Sequence, residues 1–116
     1  MKIIKQYIHS LNKEIDFVLA ENIEENFDII DAAKPGDLWF NVQGICPSHL
    51  IANIDGITMD KKQLKQVIIH GAQLCKQKSR YSYMSNLAII YTRVENLKKT
   101  PKLGYVRCRG ANMRIL

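Results

Sequence analysis

The sequence predicts a single α+β domain over residues 1–116, with a mainly antiparallel sheet, one principal helix and a short N-terminal helix. Three observations lead to this fold class. The chain has 116 residues, a length that suits one core. Short apolar runs separated by turn signals recur along it, whereas residues 61–78 carry apolar residues at helical spacing. With 47% apolar and 24% charged residues, the composition is that of an ordinary globular domain.

The first half of the chain predicts a hairpin, a short helix and two neighbouring strands. "KIIKQYIHSL" and "IDFVLA" have strand-like composition, with "NKE" as the turn between them. "ENIEENFDIIDAA" carries acids early, as helix N-termini favour, and ends at the turn signal "KPGD". "LWFNVQ" alternates with Leu38, Phe40 and Val42 on one face, and "SHLIANI" follows the "GICP" connection as a strand beside it.

The second half predicts the principal helix and the rest of the sheet. Asp60 is a suitable N-cap for a helix that runs to about Lys78. "NLAIIYTRV" is apolar enough for a central strand, "ENLKKTPKLG" is a basic turn, and "YVRCRG" alternates in the manner of a strand. "NMRIL" closes the chain. The buried stripe of the helix is predicted to comprise Leu64, Val67, Ile68, Gly71, Leu74 and Cys75.

Charge is distributed very unevenly along the chain. Residues 1–60 hold 4 Lys/Arg and 10 Asp/Glu, whereas residues 61–116 hold 13 Lys/Arg and a single acid, Glu95. Basic runs are commonly just solvated surface. Thirteen cations against one acid nevertheless favour a face that binds a polyanion, most often RNA or DNA.

The sequence argues against several other classes of protein. No apolar run approaches the roughly 20 residues of a membrane span, and the N-terminus lacks the apolar core of a signal peptide. Three widely spaced cysteines, Cys46, Cys75 and Cys108, do not form a disulfide framework. Cys46 and His49 form a C-x-x-H with no second ligand pair, so no metal or other cofactor is expected. We therefore expect an intracellular, cytoplasmic protein without contact to a membrane.

Several short motifs together resemble the NFACT-R domain, the RNA-binding module of the ribosome quality-control proteins of the RqcH and NEMF family. "DLWFNV", "PSHLI", "AQLCKQKSR", "YT", "KK" and a Gly-aromatic-Val strand occur in that family's order. "AENIEENFD" is similar to its G-R-N-x-x-x-N-D segment. The resemblance covers roughly residues 17–110 and implies an RNA-binding module, with tRNA or ribosomal RNA as the ligand.

The chain departs from the family pattern at three places. Asn41 stands where the family usually has His, Cys46 and Pro47 replace Pro-Gly, and Ala20 and Glu21 replace Gly-Arg. The family's long proteins carry further domains that dock on the ribosome and recruit tRNA for tail synthesis. The resemblance of this module therefore does not imply tail synthesis. Stand-alone modules exist in the family, and a eukaryotic one associated with DNA binding shares the "NLKKT" turn.

The candidate contacts near the middle of the chain are Trp39, Asn41 and His49. Adjacent strand residues point to opposite faces, so Ser48 and His49 are poorly placed as a nucleophile and its base. No G-x-S-x-G turn is present either. A structural role for His49 and a ligand contact are both open, and the resemblance favours the contact. Trp39 either fills the core or, beside Asn41, offers a half-exposed ring on which a base could stack.

The remaining candidates are basic residues and one tyrosine of the second half. Cations at a helix C-terminus are partly explained by the helix dipole, and those in turns are common. Two Arg on one strand face lie about 7 Å apart, close to one nucleotide step. The predicted nucleic-acid contacts are Lys76, Lys78, Arg80, Tyr83, Lys98, Lys99, Lys102, Arg107 and Arg109.

These observations predict a non-catalytic module that binds RNA in translation or ribosome quality control. DNA binding is an alternative that uses the same basic side chains. A module that docks an acidic protein is an alternative of a different class. No G-x-G-x-x-G or P-loop supports nucleotide hydrolysis, so an enzyme is the least favoured interpretation. The oligomeric state is left open by the sequence.

Overall fold

The computed structural model describes residues 1–43 and 49–116, and it confirms the α+β class with a mainly antiparallel sheet. The helices are α1, Ile23–Ala32, and α2, Lys61–Lys78. The strands are β1, Lys2–Ile8; β2, Lys13–Leu19; β3, Leu38–Val42; β4, Leu50–Ala52; β5, Ala88–Arg93; β6, Leu97–Lys99; β7, Val106–Cys108; and β8, Asn112–Ile115.

Six strands form one sheet in the order β1-β2-β4-β3-β5-β8, and every neighbouring pair is antiparallel. The predicted N-terminal hairpin is confirmed, although a 3-10 turn over His9–Leu11 makes its connection. The predicted neighbours β3 and β4 pair directly, and β5 is an inner strand as expected. The predicted 44–47 connection and Ser48 lie outside the described residues. Strands β6 and β7 form a separate two-stranded ribbon.

Strand β3 separates two apolar cores because both of its faces are buried. Leu38, Phe40 and Val42 face the larger core, which α2 covers. Trp39 faces the smaller core, into which the partly buried side chains of α1 and of the ribbon pack. The two-residue period of a strand thus assigns α2 to one face of the sheet and α1 with the ribbon to the other.

Helix α2 begins as predicted and lies very close to the sheet. Asp60 accepts a hydrogen bond from the backbone N–H of Gln63, whose side chain in turn accepts from the Asp60 N–H, so both halves of a capping box are present. Farther along, Gly71 lies against the Phe40 ring. A Cβ added to Gly71 would come within 2.2 Å of Phe40 Cζ. The glycine is therefore required for the close approach, not for backbone flexibility.

Asp37 fixes the start of β3. Its buried carboxylate accepts backbone hydrogen bonds of 2.9 Å from the N–H groups of Lys34, Ile54 and Asp55. These bonds hold the turn between α1 and β3, and the segment that follows β4, against the start of β3. Because hydrogen bonds to charged groups contribute roughly 1.5–3 kcal/mol each, this one side chain determines where three segments meet.

We expect Gly71→Ala to lower the free energy of unfolding by about 1–3 kcal/mol, because the added methyl group collides with the Phe40 ring. Helix propensity alone predicts the opposite sign, a gain of about 1 kcal/mol. Urea denaturation measures the difference. Gln73→Ala, at an exposed position two residues away, is the matched control and should change stability by less than about 0.5 kcal/mol. A Gly71→Ala protein at least as stable as wild type would contradict the close packing.

Candidate nucleic-acid interface

The exposed face of the β6–β7 ribbon carries a pair of opposed cations. The register places Lys98 directly across from Arg107, and both side chains are exposed. Arg109 follows Arg107 by two residues, and its N–H donates to the Asn96 carbonyl at 2.9 Å, which continues the same register. Like charges directly opposite one another destabilise a strand pair. Among the described residues none of these three cations has a carboxylate partner, so the repulsion is uncompensated.

The inward face of the ribbon holds it against α1 and the sheet. Leu97, Val106 and Cys108 pack on the smaller core. Lys99 lies on this side as well, because it pairs with Asp31 and lies over the Phe27 ring at 5.0 Å from its centroid. The sequence predicts Lys98 and Lys99 as contacts on the same surface. Alternation along β6 instead directs Lys99 to α1, where a carboxylate already neutralises it.

The tip of the ribbon adds an aromatic side chain that the sequence reading did not select. Lys102 lies over the Tyr105 ring at 4.2 Å from its centroid, and the ring is 37% exposed. Between them Gly104, at φ +81°, allows the tip to turn onto α1, where Asn26 donates to the Gly104 carbonyl at 3.2 Å. The signal that could have identified Tyr105 is its position between Lys102 and Arg107 in the most basic part of the chain.

The other predicted cations form a separate cluster at the end of α2. Lys78, Arg80 and Tyr83 are exposed there, and Tyr83 is 81% exposed. Lys76 is half-buried, and its carbonyl accepts from the hydroxyl and backbone N–H of Ser79. Because α2 and the ribbon cover opposite faces of the sheet, the predicted basic contacts do not lie together on one face. The expectation of one basic face is therefore corrected: the predicted cations divide between the α2 side and the ribbon side of the sheet.

Trp39 and Asn41 are not surface groups, so their prediction as nucleic-acid contacts needs correction. Trp39 is 1% exposed and Asn41 is 8% exposed. The predicted alternation is confirmed, because Trp39 and Asn41 share the face opposite Phe40. That face is covered by α1 and the ribbon, however, and the Trp39 ring is therefore not available for stacking on a base of a bound strand.

His49 is likewise buried, at 1% exposed, and its ring meets the Trp39 ring edge-on with 5.2 Å between centroids. It lies one step beyond the β3–β4 register, opposite Asn41, and its carbonyl accepts from the Ala20 N–H. Burial lowers the pKa of His49 to about 4, because the charged imidazolium would lose its hydration. A neutral, buried ring cannot contact phosphate, which corrects the predicted ligand contact in the described conformation.

Three buried polar atoms on this face have no hydrogen-bond partner among the described residues. They are Trp39 Nε1, Asn41 Oδ1 and His49 Nδ1. Native proteins leave few such atoms unsatisfied, and each costs on the order of 1–3 kcal/mol. The three residues predicted as nucleic-acid contacts do lie together, but the structure places them in the interior as a buried polar cluster.

The cysteines of the described chain are not arranged for chemistry. Cys75 packs in the larger core and Cys108 against the smaller one, so the sheet separates them. Burial raises the pKa of Cys75 to about 12 and also raises the pKa of Cys108, which keeps both thiols protonated. Cys46 lies outside the described residues. Within the described ranges, no three His, Cys, Asp or Glu side chains are grouped as a metal site requires, and no helix is long and apolar enough to span a membrane.

Comparison with known proteins supports the fold and gives partial relatives. No family model matches the chain. It is 38% identical over 78 residues to coiled-coil domain-containing protein 25 of Danio rerio and 32% identical over 77 residues to that of Mus musculus. Each match covers 66% of this chain and 37% of the relative, so the chain spans little more than a third of those proteins.

A solved structure has the same fold over nearly the whole chain. The C-terminal part of the fibronectin/fibrinogen-binding protein from Streptococcus suis superimposes with a TM-score of 0.77 at 22% identity. The match covers 97% of this chain and 44% of that one. At this identity the likeness concerns the fold alone.

Burial of His49 predicts a specific loss of stability in acid. The unfolded chain protonates this histidine near pH 6.5, whereas the folded chain does so only near pH 4. The contribution of the neutral His49 ring to the free energy of unfolding is therefore complete above pH 6.5, and it declines as the pH falls towards 4. We expect the wild type to lose about 2 kcal/mol more than His49→Gln between pH 7 and pH 5.

Urea unfolding at the two pH values measures this difference. His9→Gln replaces an exposed histidine and serves as the matched control, which should retain the pH dependence of the wild type. Identical pH dependence in wild type and His49→Gln would show that His49 is not buried as a neutral group.

Proposed function

We propose that this chain is a non-catalytic nucleic-acid-binding module whose ligand surface is the exposed face of the β6–β7 ribbon. One observation carries the proposal: Lys98 and Arg107 are directly opposed, and within residues 1–43 and 49–116 neither forms an ion pair with a carboxylate. A fold selected for stability alone would gain by placing an acid at one of the two positions. Retaining two cations is understandable if a phosphate lies between them in the bound state.

The geometry of the ribbon suits a single strand of nucleic acid. Hydrogen-bonded antiparallel partners have Cα atoms about 5.5 Å apart, and residues two apart on a strand lie about 7 Å apart. Lys98 across from Arg107, and Arg109 one step along the strand, therefore form a cluster of cations whose spacings are near that of successive phosphates. At the tip, Tyr105 offers an exposed aromatic ring beside Lys102, the combination on which a base stacks.

RNA is the proposed ligand, with tRNA or ribosomal RNA in translation or ribosome quality control as the setting, and the cytoplasm as the location. This choice depends on the resemblance of the sequence motifs to the NFACT-R domain. The opposed cations themselves would serve DNA equally well, because phosphate contacts position a ligand without reading it. The cations at the end of α2 lie on the face of the sheet opposite the ribbon. We propose them only as a secondary contact.

The proposal is tested by reversing the opposed pair. Lys98→Glu with Arg107→Glu should weaken binding of a fluorescein-labelled 20-nucleotide oligouridylate at least tenfold. Each single-strand phosphate contact contributes about −0.7 to the slope of log K against log salt. The four ribbon cations, Lys98, Lys102, Arg107 and Arg109, predict a wild-type slope of about −3. The loss of two phosphate contacts should make this slope shallower by about 1.4. Fluorescence anisotropy over a salt series gives both quantities.

The matched control reverses two lysines on the opposite side of the sheet. Lys61→Glu with Lys62→Glu alters the net charge by the same amount but lies at the exposed start of α2. It should bind nearly as well as wild type. Equal weakening by both double variants would mean that net charge, not the ribbon, drives binding. A matched single-stranded DNA and a tRNA in the same assay distinguish RNA from DNA as the preferred ligand.

A single substitution separates stability from binding at this site. Lys98→Glu changes a repulsive cross-strand pair into an attractive one, so we expect it to stabilise the fold by about 0.2–1 kcal/mol. The same variant should bind RNA more weakly. Thermal unfolding and anisotropy measure the two effects on one protein. Loss of stability, or unchanged binding, would remove the reason for treating the opposed cations as a functional feature.

A further inference from the structure

Among the described residues no strand pairs with the outer edge of β8, which presents its free backbone groups at two specific residues. Leu87 and Leu116 exchange two hydrogen bonds, of 2.8 and 2.9 Å, at the end of the β5–β8 pair. Bonding alternates along an antiparallel pair, so Arg114 and Asn112 also bond to β5. The N–H and C=O groups of Met113 and Ile115 therefore point away from the sheet, towards the place of a seventh strand.

The same two residues expose their apolar side chains. Met113 is 50% exposed and Ile115 is 52% exposed, and they share one face of the sheet. The opposite edge, β1, places Lys5 between Ile3 and Tyr7 on its exposed face, and a charge at that position discourages pairing with another strand. On the face that Met113 and Ile115 share, no charged residue lies between them, because Arg114 points to the opposite face. Free backbone groups and exposed apolar side chains thus coincide on β8, and this edge lacks the protection that β1 has.

Charge indicates what kind of strand fits this edge. The chain has no acidic residue after Glu95, and Arg114, between the two apolar residues, has no carboxylate partner among the described residues. Both edge strands of the sheet carry cations: Arg114 lies on β8, and β1 carries Lys2 and also Lys5, which pairs with Asp16 of β2. Pairing two copies of the chain edge to edge would bring cations together, whereas an acidic strand would neutralise Arg114.

We propose that the β8 edge binds an extended acidic peptide of a partner protein, which adds to the sheet as a seventh strand. Two apolar residues of the peptide face Met113 and Ile115, and the acidic residue between them lies across from Arg114. This is strand addition, in which backbone hydrogen bonds supply affinity and alternate side chains supply specificity. The site is distinct from the ribbon and does not depend on the proposed nucleic-acid function.

A designed peptide tests the proposal directly. The probe is fluorescein-labelled Ser-Gly-Glu-Val-Glu-Val-Glu-Gly-Ser, titrated with the full chain, and the comparison probe has Lys in place of each Glu. We expect the acidic peptide to bind and the basic one not to bind. In heteronuclear NMR the largest amide shifts should fall on Met113 and Ile115. Shifts confined to the ribbon would mean that the peptide is held by charge alone.

Two variants test the edge itself. Ile115→Pro removes an N–H that β5 does not use, so the fold should persist, verified by the NMR spectrum, while peptide affinity falls at least about fivefold. Ile115→Val keeps the N–H and is the matched control. Arg114→Glu should reverse the preference and favour the basic peptide. Unchanged acidic-peptide binding in both Ile115→Pro and Arg114→Glu would overturn the proposal.

The remaining outcomes are separated by two further measurements. Sedimentation equilibrium of wild type and Ile115→Pro detects pairing between copies, and a dimer abolished by the proline would assign the edge to self-association and overturn the acidic partner. Oligouridylate binding by Ile115→Pro should equal that of wild type. Failure of peptide binding with intact RNA binding would reject this inference alone, and the converse would reject only the proposed function.

Discussion

The whole architecture depends on the burial of both faces of β3. Its five residues are all buried, so each face needs its own cover, and the sheet becomes the middle layer of three. Asp37 fixes where this strand begins by accepting three backbone N–H bonds. Phe40 fixes where α2 lies, because its ring occupies the space that a side chain at position 71 would need. The positions of α1 and the ribbon follow on the other face.

This layering decides how the basic half of the chain is used. Cations from the end of α2 and cations from the ribbon lie on opposite sides of the sheet, because α2 packs on one face and the ribbon on the other. Within the ribbon, alternation divides the cations again. Lys99 goes to Asp31 and Phe27, and it helps to hold the ribbon on α1. Lys98 and Arg107 remain exposed, and in the part of the chain that the structure describes neither has a carboxylate partner. The proposed interface thus consists of the ribbon cations that do not pair with an acidic residue within the fold.

The cluster of Trp39, Asn41 and His49 shows that the face of a strand on which a residue lies can be predicted separately from whether that face is exposed to solvent. Alternation correctly placed Trp39 and Asn41 on the face opposite Phe40, and a strand pattern contains that information. Whether the face meets solvent depends on elements distant in the sequence. Ile29 of α1 is buried in the same small core, and Val106 of the ribbon packs against it. The residues next to Trp39 in the sequence do not indicate that Ile29 and Val106 cover this face of the strand.

The sequence by itself determined the fold class, the N-terminal hairpin, both helices with the Asp60 cap, the pairing of β3 with β4 and the inner place of β5. These follow from local periodicity, capping and turn chemistry, which act over a few residues. Only the tertiary structure decided that Trp39, Asn41 and His49 are interior and that the cations divide into two surfaces. It also decided that Met113 and Ile115 lie on an open edge. Burial, long-range pairing and strand order depend on contacts between residues far apart in the chain, and one sequence read locally does not specify them.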